Sequence, residues 1–77
     1  MNIGRAMKEL RELGQISRAK MAKDLCITES ALWKIENGRT QPKSSTIDRF
    51  CEYMIIPKAY LYHKSFDDED FLEVVRI

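Results

Sequence analysis

A chain of 77 residues is long enough for one small domain and too short for an enzyme with a deep cleft. Hydrophobic residues make up 44% of the sequence and charged residues 32%, with a formal net charge of +1, a balance ordinary for a folded soluble protein. Because no apolar run is long enough to span a bilayer, and charges interrupt the N-terminal region where a signal peptide is apolar, we expect one cytoplasmic domain with no membrane partner.

The first predicted element is an amphipathic helix that ends at Gly14. Its apolar side chains recur at three- and four-residue steps, at Ile3, Ala6, Met7, Leu10 and Leu13. Arg11 lies next to this apolar stripe, where its guanidinium needs either solvent or a carboxylate. Glu36 is the candidate carboxylate.

Ser17 is the expected N-cap of a second short helix. Lys20 occupies the third position of this helix, where its positive charge opposes the helix dipole. A basic first turn is useful where a phosphate lies opposite, so Arg18 and Lys20 are candidates for contacts with a nucleic-acid backbone. The alternative is that both are solvated charges. The apolar residues of this helix are Ala19, Met21, Ala22 and Leu25.

The stretch from Thr28 to Gly38 predicts a short helix with one buried face and one outward face. Thr28 is the expected N-cap, and Gly38 is the residue that a helix end prefers. The outward face is able to enter a DNA groove, although Trp33 can equally pack on a neighbouring helix. The buried face contains Ala31, Leu32 and Ile35. The outward face contains Glu29, Ser30, Trp33, Lys34 and Asn37.

A polar loop over residues 37–45 leads to a fourth helix, which Ser44 or Ser45 is expected to cap. Pro57 begins a last short helix that continues through Leu61. The buried stripe of the fourth helix is Ile47, Phe50, Cys51 and Met54.

The charges are divided unevenly along the chain. Residues 1–64 carry twelve Lys and Arg against seven Asp and Glu, a net +5, whereas residues 65–77 carry one against five, a net −4. A basic body suits a polyanion partner, although charge runs are more often solvated faces. We therefore treat residues 65–77 as a separate acidic and apolar extension.

The extension is too apolar to be an idle terminus. Its apolar side chains either cover the core of their own domain or meet the same surface on a second subunit. We predict a symmetric dimer built with residues 56–77. The expected interface residues are Ile56, Tyr60, Phe66, Phe71, Leu72 and Val75.

The sequence offers little for catalysis or metal binding. Cys26 and Cys51 lack the spacing of metal ligands, and the single histidine, His63, cannot complete a site. We expect two buried, reduced thiols. Because no carboxylate pair, Cys–His set or glycine-rich phosphate loop is present, we expect no enzyme activity, no metal, no cofactor and no small-molecule ligand.

Three residues, Cys26 to Thr28, join the second and third helices, which is the spacing of a helix-turn-helix unit. The chain resembles the Cro/phage-repressor class of helix-turn-helix regulators, also called the Xre family, over roughly residues 3–61. The matching positions are Arg11, Ser17-Arg18-Ala19-Lys20-Met21-Ala22, Ile27-Thr28, Leu32, Ile35-Glu36-Asn37-Gly38 and Pro42. The resemblance implies an all-α, compact five-helix bundle of the lambda-repressor-like kind in residues 1–64. The family pattern, with the positions beside the apolar stripes, also predicts a partly buried ion pair between Arg11 and Glu36.

Three residues depart from the family pattern. Arg18 stands where the family usually has Gln, which puts base reading at that position in doubt. Cys26 occupies a turn position that is usually Gly, so we expect the turn to be strained or reshaped. Ile55 replaces another usual Gly after the fourth helix.

The resemblance implies a sequence-specific regulator of transcription, expected to be a repressor, that binds double-stranded DNA as a homodimer on an inverted repeat. The third helix is expected in the major groove. The residues expected to read bases are Glu29, Ser30, Trp33 and Lys34. The residues expected to bind the DNA backbone are Ser17, Arg18, Lys20, Asn37, Arg39, Thr40 and Lys43.

A second hypothesis uses the same fold as a protein-interaction module, of the antitoxin-like or antirepressor-like kind. Exposed Trp33 and the apolar extension are then binding anchors. The two hypotheses differ in their salt dependence, because phosphate binding weakens steeply as salt rises and an apolar contact does not.

Overall fold

The computed structural model describes residues 2–66, which form five helices and no strand. The predicted all-α fold is confirmed. The last eleven residues lie outside the described residues, and so do the interface predictions for Phe71, Leu72 and Val75. The helices are α1 (Ile3–Leu13), α2 (Arg18–Asp24), α3 (Glu29–Glu36), α4 (Ser44–Met54) and α5 (Lys58–Ser65).

Side-chain caps fix the start of the first three helices. Asn2 Oδ1 accepts a hydrogen bond from the Arg5 amide at 2.9 Å, and Ser17 Oγ accepts one from the Lys20 amide at 3.1 Å. Thr28 Oγ1 accepts from the amide of Ala31 at 3.0 Å. The caps predicted at Ser17 and Thr28 are confirmed, because each satisfies an amide that the first turn leaves without a partner.

The cap predicted at Ser44 or Ser45 is wrong. Both residues lie inside α4, and Lys43, whose side chain makes no capping bond, is the N-cap. The helix begins earlier because its first turn carries Thr46 and Ile47 into the interior, where both are buried. Burial of that turn outweighs the ~1 kcal/mol that a side-chain cap contributes.

Every helix contributes to one apolar core. α1 packs on α3 and α5, α2 packs on α3, and α4 packs on α5. Dispersion contacts and removal of apolar surface from water at this shared centre stabilise the domain. The largest fully buried side chains are Met7, Met21, Leu25, Leu32, Phe50 and Leu61.

Two members of the predicted apolar sets are exposed. Leu13 is 74% exposed, and Arg11 is buried in its place, so the buried stripe of α1 turns toward Arg11 at its C-terminal end. Ala19 is also exposed. Met21 and Ala22 set the buried side of α2, and at ~100° per residue Ala19 points away from the centre of that side by about 110°.

Gly4 lets α1 and α3 cross at very short range. A Cβ atom built on Gly4 lies only 1.9 Å from the carbonyl oxygen of Ile35, so no side chain fits between the two backbones. The same end of α1 is tied to α5, where the amide of Asn2 donates to the carbonyl of Ser65 at 2.8 Å. The crossing therefore depends on the missing side chain of Gly4.

We predict that Gly4→Ala lowers the free energy of unfolding by about 1–3 kcal/mol, the usual range for overpacking. Alanine favours a helix over glycine by ~1 kcal/mol, so this loss appears against an opposing gain. Gly14→Ala is the matched control, because the nearest atom to its Cβ is the flexible Ile16 Cδ1 at 3.2 Å, and the nearest backbone atom is at an ordinary contact distance of 3.5 Å. Urea melts of both variants measure the difference, and equal stability of the two contradicts the crossing.

Among residues 2–66, three residues other than glycine adopt left-handed backbone conformations. They are Gln15 with φ 56°, Cys26 with φ 60° and Ile55 with φ 56°. Helix α1 ends where predicted, but Gln15 rather than Gly14 takes the left-handed position. The turn predicted to be strained at Cys26 does place a residue with a Cβ in this region. Ile55 is the more unusual case, because a β-branched side chain is a genuine outlier there.

We predict that Ile55→Gly raises the free energy of unfolding by about 1 kcal/mol, because glycine removes most of the ~1–2 kcal/mol left-handed penalty. The isoleucine is 89% exposed, so little packing is lost with it. Ile55→Ala is the control, since it removes the same exposed side chain and keeps a Cβ. Chemical denaturation should give a higher free energy of unfolding for the glycine variant alone. An equal gain in the alanine variant contradicts the proposed backbone strain at residue 55.

The prediction of two buried thiols is wrong for Cys26, which is exposed, whereas Cys51 is buried. Cys26 stands at the turn between α2 and α3, while its neighbours Leu25 and Ile27 pack inward. Burial raises the pKa of the Cys51 thiol, an effect that Lys58 opposes and Asp48 reinforces. Cys51 therefore stays a neutral core side chain.

Candidate nucleic-acid interface

Helix α3 has the two faces that its sequence predicts. Leu32 and Ile35 are buried, whereas the four predicted base-reading residues are exposed. Trp33 is 41% exposed, which leaves much of the indole at the surface instead of packed on a neighbouring helix. A large aromatic ring on an exposed helix face is a common feature of binding surfaces. The exposed residues are Glu29, Ser30, Trp33 and Lys34.

Arg39 covers the indole of Trp33. The guanidinium carbon lies 5.9 Å from the ring centroid, within the range of a cation–π contact, which is worth ~0.5–1 kcal/mol at an exposed site. The contact joins α3 to the loop that follows it. It therefore places a positive charge beside the exposed face of α3.

Backbone and side-chain hydrogen bonds fasten this loop to the end of α3. The amides of Arg39 and Thr40 both donate to the Lys34 carbonyl, at 2.8 and 3.4 Å. Asn37 Nδ2 donates to the Trp33 carbonyl at 2.8 Å. Asn37, which is predicted to bind the DNA backbone, therefore has a structural role at the end of α3. Gly38 allows the turn, with φ 72°. The loop is thus held against α3 by its own backbone.

Beyond the loop, Lys43 is exposed at the start of α4. Because it supplies no side-chain cap, the first amides of this eleven-residue helix have no capping side chain as partner. Such amides, with the positive end of the helix dipole, favour an anion.

The other basic candidates lie in the first turn of α2. Lys20 Nζ is 3.3 Å from Asp24 Oδ2 along the exposed side of the helix, a weak pair of the i,i+4 type. Ser17 Oγ accepts the capping bond, which leaves its hydroxyl hydrogen able to donate. Arg18 differs from both, because it turns toward the interior.

Arg11 and Glu36 form the predicted ion pair, and both residues are buried. Arg11 Nε donates to Glu36 Oε2 at 2.7 Å, and Arg11 Nη2 donates to Glu36 Oε1 at 3.2 Å. Arg11 Nη1 also donates to the Ile16 carbonyl at 2.7 Å. The two-pronged geometry fixes the end of α3 against α1 and the following turn.

A second guanidinium reaches the same carboxylate. Arg18 Nε donates to Glu36 Oε1 at 3.0 Å, although 29% of the Arg18 side chain remains exposed. The sequence reading did not foresee this contact. The available sequence signal is a charged residue, Arg18, at a position where the family that the chain resembles usually has Gln. Glu36 is the buried acid that this charge pairs with.

Comparison with known protein families gives one decisive match. Residues 2–57 match a family model described as a helix-turn-helix domain. The chain belongs to this helix-turn-helix family. The family consists of DNA-binding domains of the Xre/Cro-like type, so the resemblance found in the sequence is confirmed. Domains of this family are typically not enzymes. A search of curated proteins gives no match.

The part of the helix-turn-helix domain that follows α4 carries exposed apolar side chains. Tyr60 and Phe66, two of the expected interface residues, are exposed, whereas Ile56 is half-buried against the core of its own domain. Ile55 was not among the expected residues, and its exposure makes it a further candidate.

Other kinds of site find no support in this part of the chain. Within residues 2–66, no group of three or more His, Cys, Asp or Glu side chains is arranged to hold a metal ion. None of the five helices combines the length and apolar character that crossing a bilayer requires.

We predict that Glu36→Gln destabilises the helix-turn-helix domain by about 3–5 kcal/mol, because it leaves the Arg11 charge buried without its partner. Glu9→Gln is the control, since the pairs that Glu9 forms with Arg5 and Lys64 are partly exposed. That control should change stability by no more than roughly 1 kcal/mol. Thermal melts compare the two, and a wild-type melting temperature for Glu36→Gln rules out a strong buried pair.

Proposed function

We propose that the protein is a sequence-specific regulator of transcription, acting as a repressor, that binds double-stranded DNA as a homodimer on an inverted repeat. The observation that carries this proposal is the exposed face of α3, supported from behind by buried Leu32 and Ile35 and flanked by a basic loop. The family match adds independent support, since its members are DNA-binding domains. Repression needs no chemistry in this mechanism, only occupation of an operator.

Base reading is assigned to the exposed face of α3. In the major groove, Lys34 is able to donate to guanine and Glu29 to accept from cytosine. Ser30 is able to do either. Trp33 supplies an apolar surface for a thymine methyl group or a sugar, with Arg39 stacked on it.

Phosphate binding is assigned to residues on both sides of α3. Lys43 and the uncapped amides of α4 form one phosphate site. These contacts give affinity and position the helix without selecting a sequence. The assigned residues are Ser17, Arg18, Lys20, Asn37, Arg39, Thr40 and Lys43.

We predict that Lys34→Ala and Ser30→Ala change which DNA sequence is preferred, whereas Lys43→Ala weakens binding to all sequences alike. Loss of a base contact by Lys34 costs ~1–3 kcal/mol on the selected site and far less on random DNA. Loss of the Lys43 charge reduces the slope of log affinity against log salt by about 1. Random-site selection followed by salt titrations of each variant measures both effects.

The result for Lys34 has a clear contrary outcome. If Lys34→Ala weakens selected and random DNA equally, Lys34 binds phosphate rather than bases. Lys23→Ala is a useful control, because it removes an exposed lysine that no contact assigns to the DNA surface.

The dimer is assigned to the end of the domain that holds α5 and the extension. One recognition helix contacts too few bases to be selective, so two copies are needed. Exposed Ile55, Tyr60 and Phe66 supply part of an apolar surface. Two equivalent helices about one DNA turn apart, ~34 Å, require an inverted repeat.

We predict that truncation after Phe66 yields a folded monomer that binds DNA weakly. This end point retains Ser65, which is buried and accepts the hydrogen bond from Asn2. Light scattering and DNA titration measure the two properties, and the double variant Phe71→Ser/Leu72→Ser repeats the test in the full chain. An unchanged dimer in both variants rules out this interface.

A protein-interaction module is the second candidate, favoured by the exposure of Trp33 and Ile55. Affinity for duplex DNA separates the two functions. Binding that falls steeply between low and physiological salt supports the regulator, whereas the absence of duplex binding supports the interaction module.

A further inference from the structure

The cluster of Arg11, Glu36 and Arg18 holds more positive than negative charge. Two guanidinium groups share one carboxylate, so the cluster has a formal charge of +1. Arg11 alone already pairs with both oxygens of Glu36. The second arginine is therefore not needed to neutralise the buried acid, and it adds repulsion between two cations that lie close together.

The three side chains differ sharply in their access to solvent. The exposed fractions are 1% for the Glu36 side chain, 9% for Arg11 and 29% for Arg18. Only Arg18 can therefore touch a ligand outside the protein. The excess charge of the cluster is available at Arg18 and nowhere else in it.

The Arg18 guanidinium is held through one N–H group, that of Nε. Its Nε donates to Glu36 Oε1, and within residues 2–66 its Nη1 and Nη2 atoms make no hydrogen bond. A guanidinium has five N–H donors in a rigid plane, so a hydrogen bond at Nε restricts the directions in which the other four point. The planar group matches the oxygens of a phosphate. Because its side chain is already ordered in the free protein, it loses little conformational freedom on binding.

We propose that Glu36, which is buried and cannot touch DNA, is a positioning residue for phosphate binding: it orients Arg18 so that the Nη donors clamp one phosphate of the DNA backbone. This inference rests on the proposed DNA-binding function. It assigns Glu36 two roles, since the same carboxylate also joins α1 to α3. It also gives a reason for arginine, rather than a neutral side chain, at position 18.

The experiment measures affinity for a random-sequence duplex over a range of salt concentrations, because a phosphate contact does not depend on sequence. Arg18→Gln should reduce the salt slope by about 0.9 and weaken binding by roughly one order of magnitude at 0.1 M salt. Arg18→Lys should keep the slope but lose affinity, since lysine has a charge and lacks the Nε donor. Arg5→Gln is the matched control, because Arg5 is exposed on α1 and, within residues 2–66, its side chain pairs only with Glu9. It should keep the wild-type slope.

The role of Glu36 is tested by removing the buried pair as a whole. Replacing both partners with apolar residues of similar size, in Arg11→Met/Glu36→Leu, leaves no buried charge without a partner, so it costs less stability than removing one partner alone. In this background Arg18 keeps its charge and loses its anchor. Arg18→Gln should then weaken DNA binding at least twofold less than it does in the wild-type background.

The outcomes separate the two proposals. Equal losses in both backgrounds, or an unchanged salt slope for Arg18→Gln, overturn the positioning role while wild-type DNA binding leaves the proposed function standing. If the double variant does not fold, wild-type affinity for Arg18→Lys overturns the role, because a point charge then suffices. Wild-type protein that binds no duplex overturns both proposals.

Discussion

The orientation of α3 depends on the carboxylate of Glu36. Its two oxygens accept three hydrogen bonds from two arginines, one on α1 and one at the start of α2. Apolar packing tolerates small rotations and changes of volume, whereas a charge-assisted hydrogen bond has a required direction. A buried charge is also costly to leave without a partner, so the three helices cannot shift relative to one another without losing this arrangement. The cluster thus supplies geometry, and the apolar core supplies most of the stabilisation.

The short crossing of α1 and α3 works in the same direction. Because Gly4 brings the two backbones together, Ile35 has little room to move, and the opposite face of α3 is held steady. The loop after α3 adds a third restraint through the Lys34 carbonyl. A surface built in this way presents its side chains already ordered, which lowers the entropy lost on binding.

Much of this architecture could be predicted from the sequence, because helices reveal themselves by an apolar period of 3.6 residues and by capping side chains. The two faces of α3 and its cap at Thr28 follow from such local patterns. The apolar pattern places Leu13 and Ala19 on the buried side, and both are exposed, because a stripe is poorly defined near the end of a helix. The contacts of Gly4 and Arg18 could not be derived, since they depend on where separate helices cross. The assignments to DNA at base and phosphate positions remain predictions, as do those for residues 67–77.

The hydrogen bond between Asn2 and Ser65 makes the described part of the chain close on itself. Terminal turns usually fray independently, at almost no free energy. Here the first turn of α1 and the last turn of α5 share a bond, so neither opens without exposing a backbone group of the other. Their amide hydrogens therefore belong to one cooperative opening unit. The two ends of the domain protect each other from exchange with solvent, although more than sixty residues separate them along the chain.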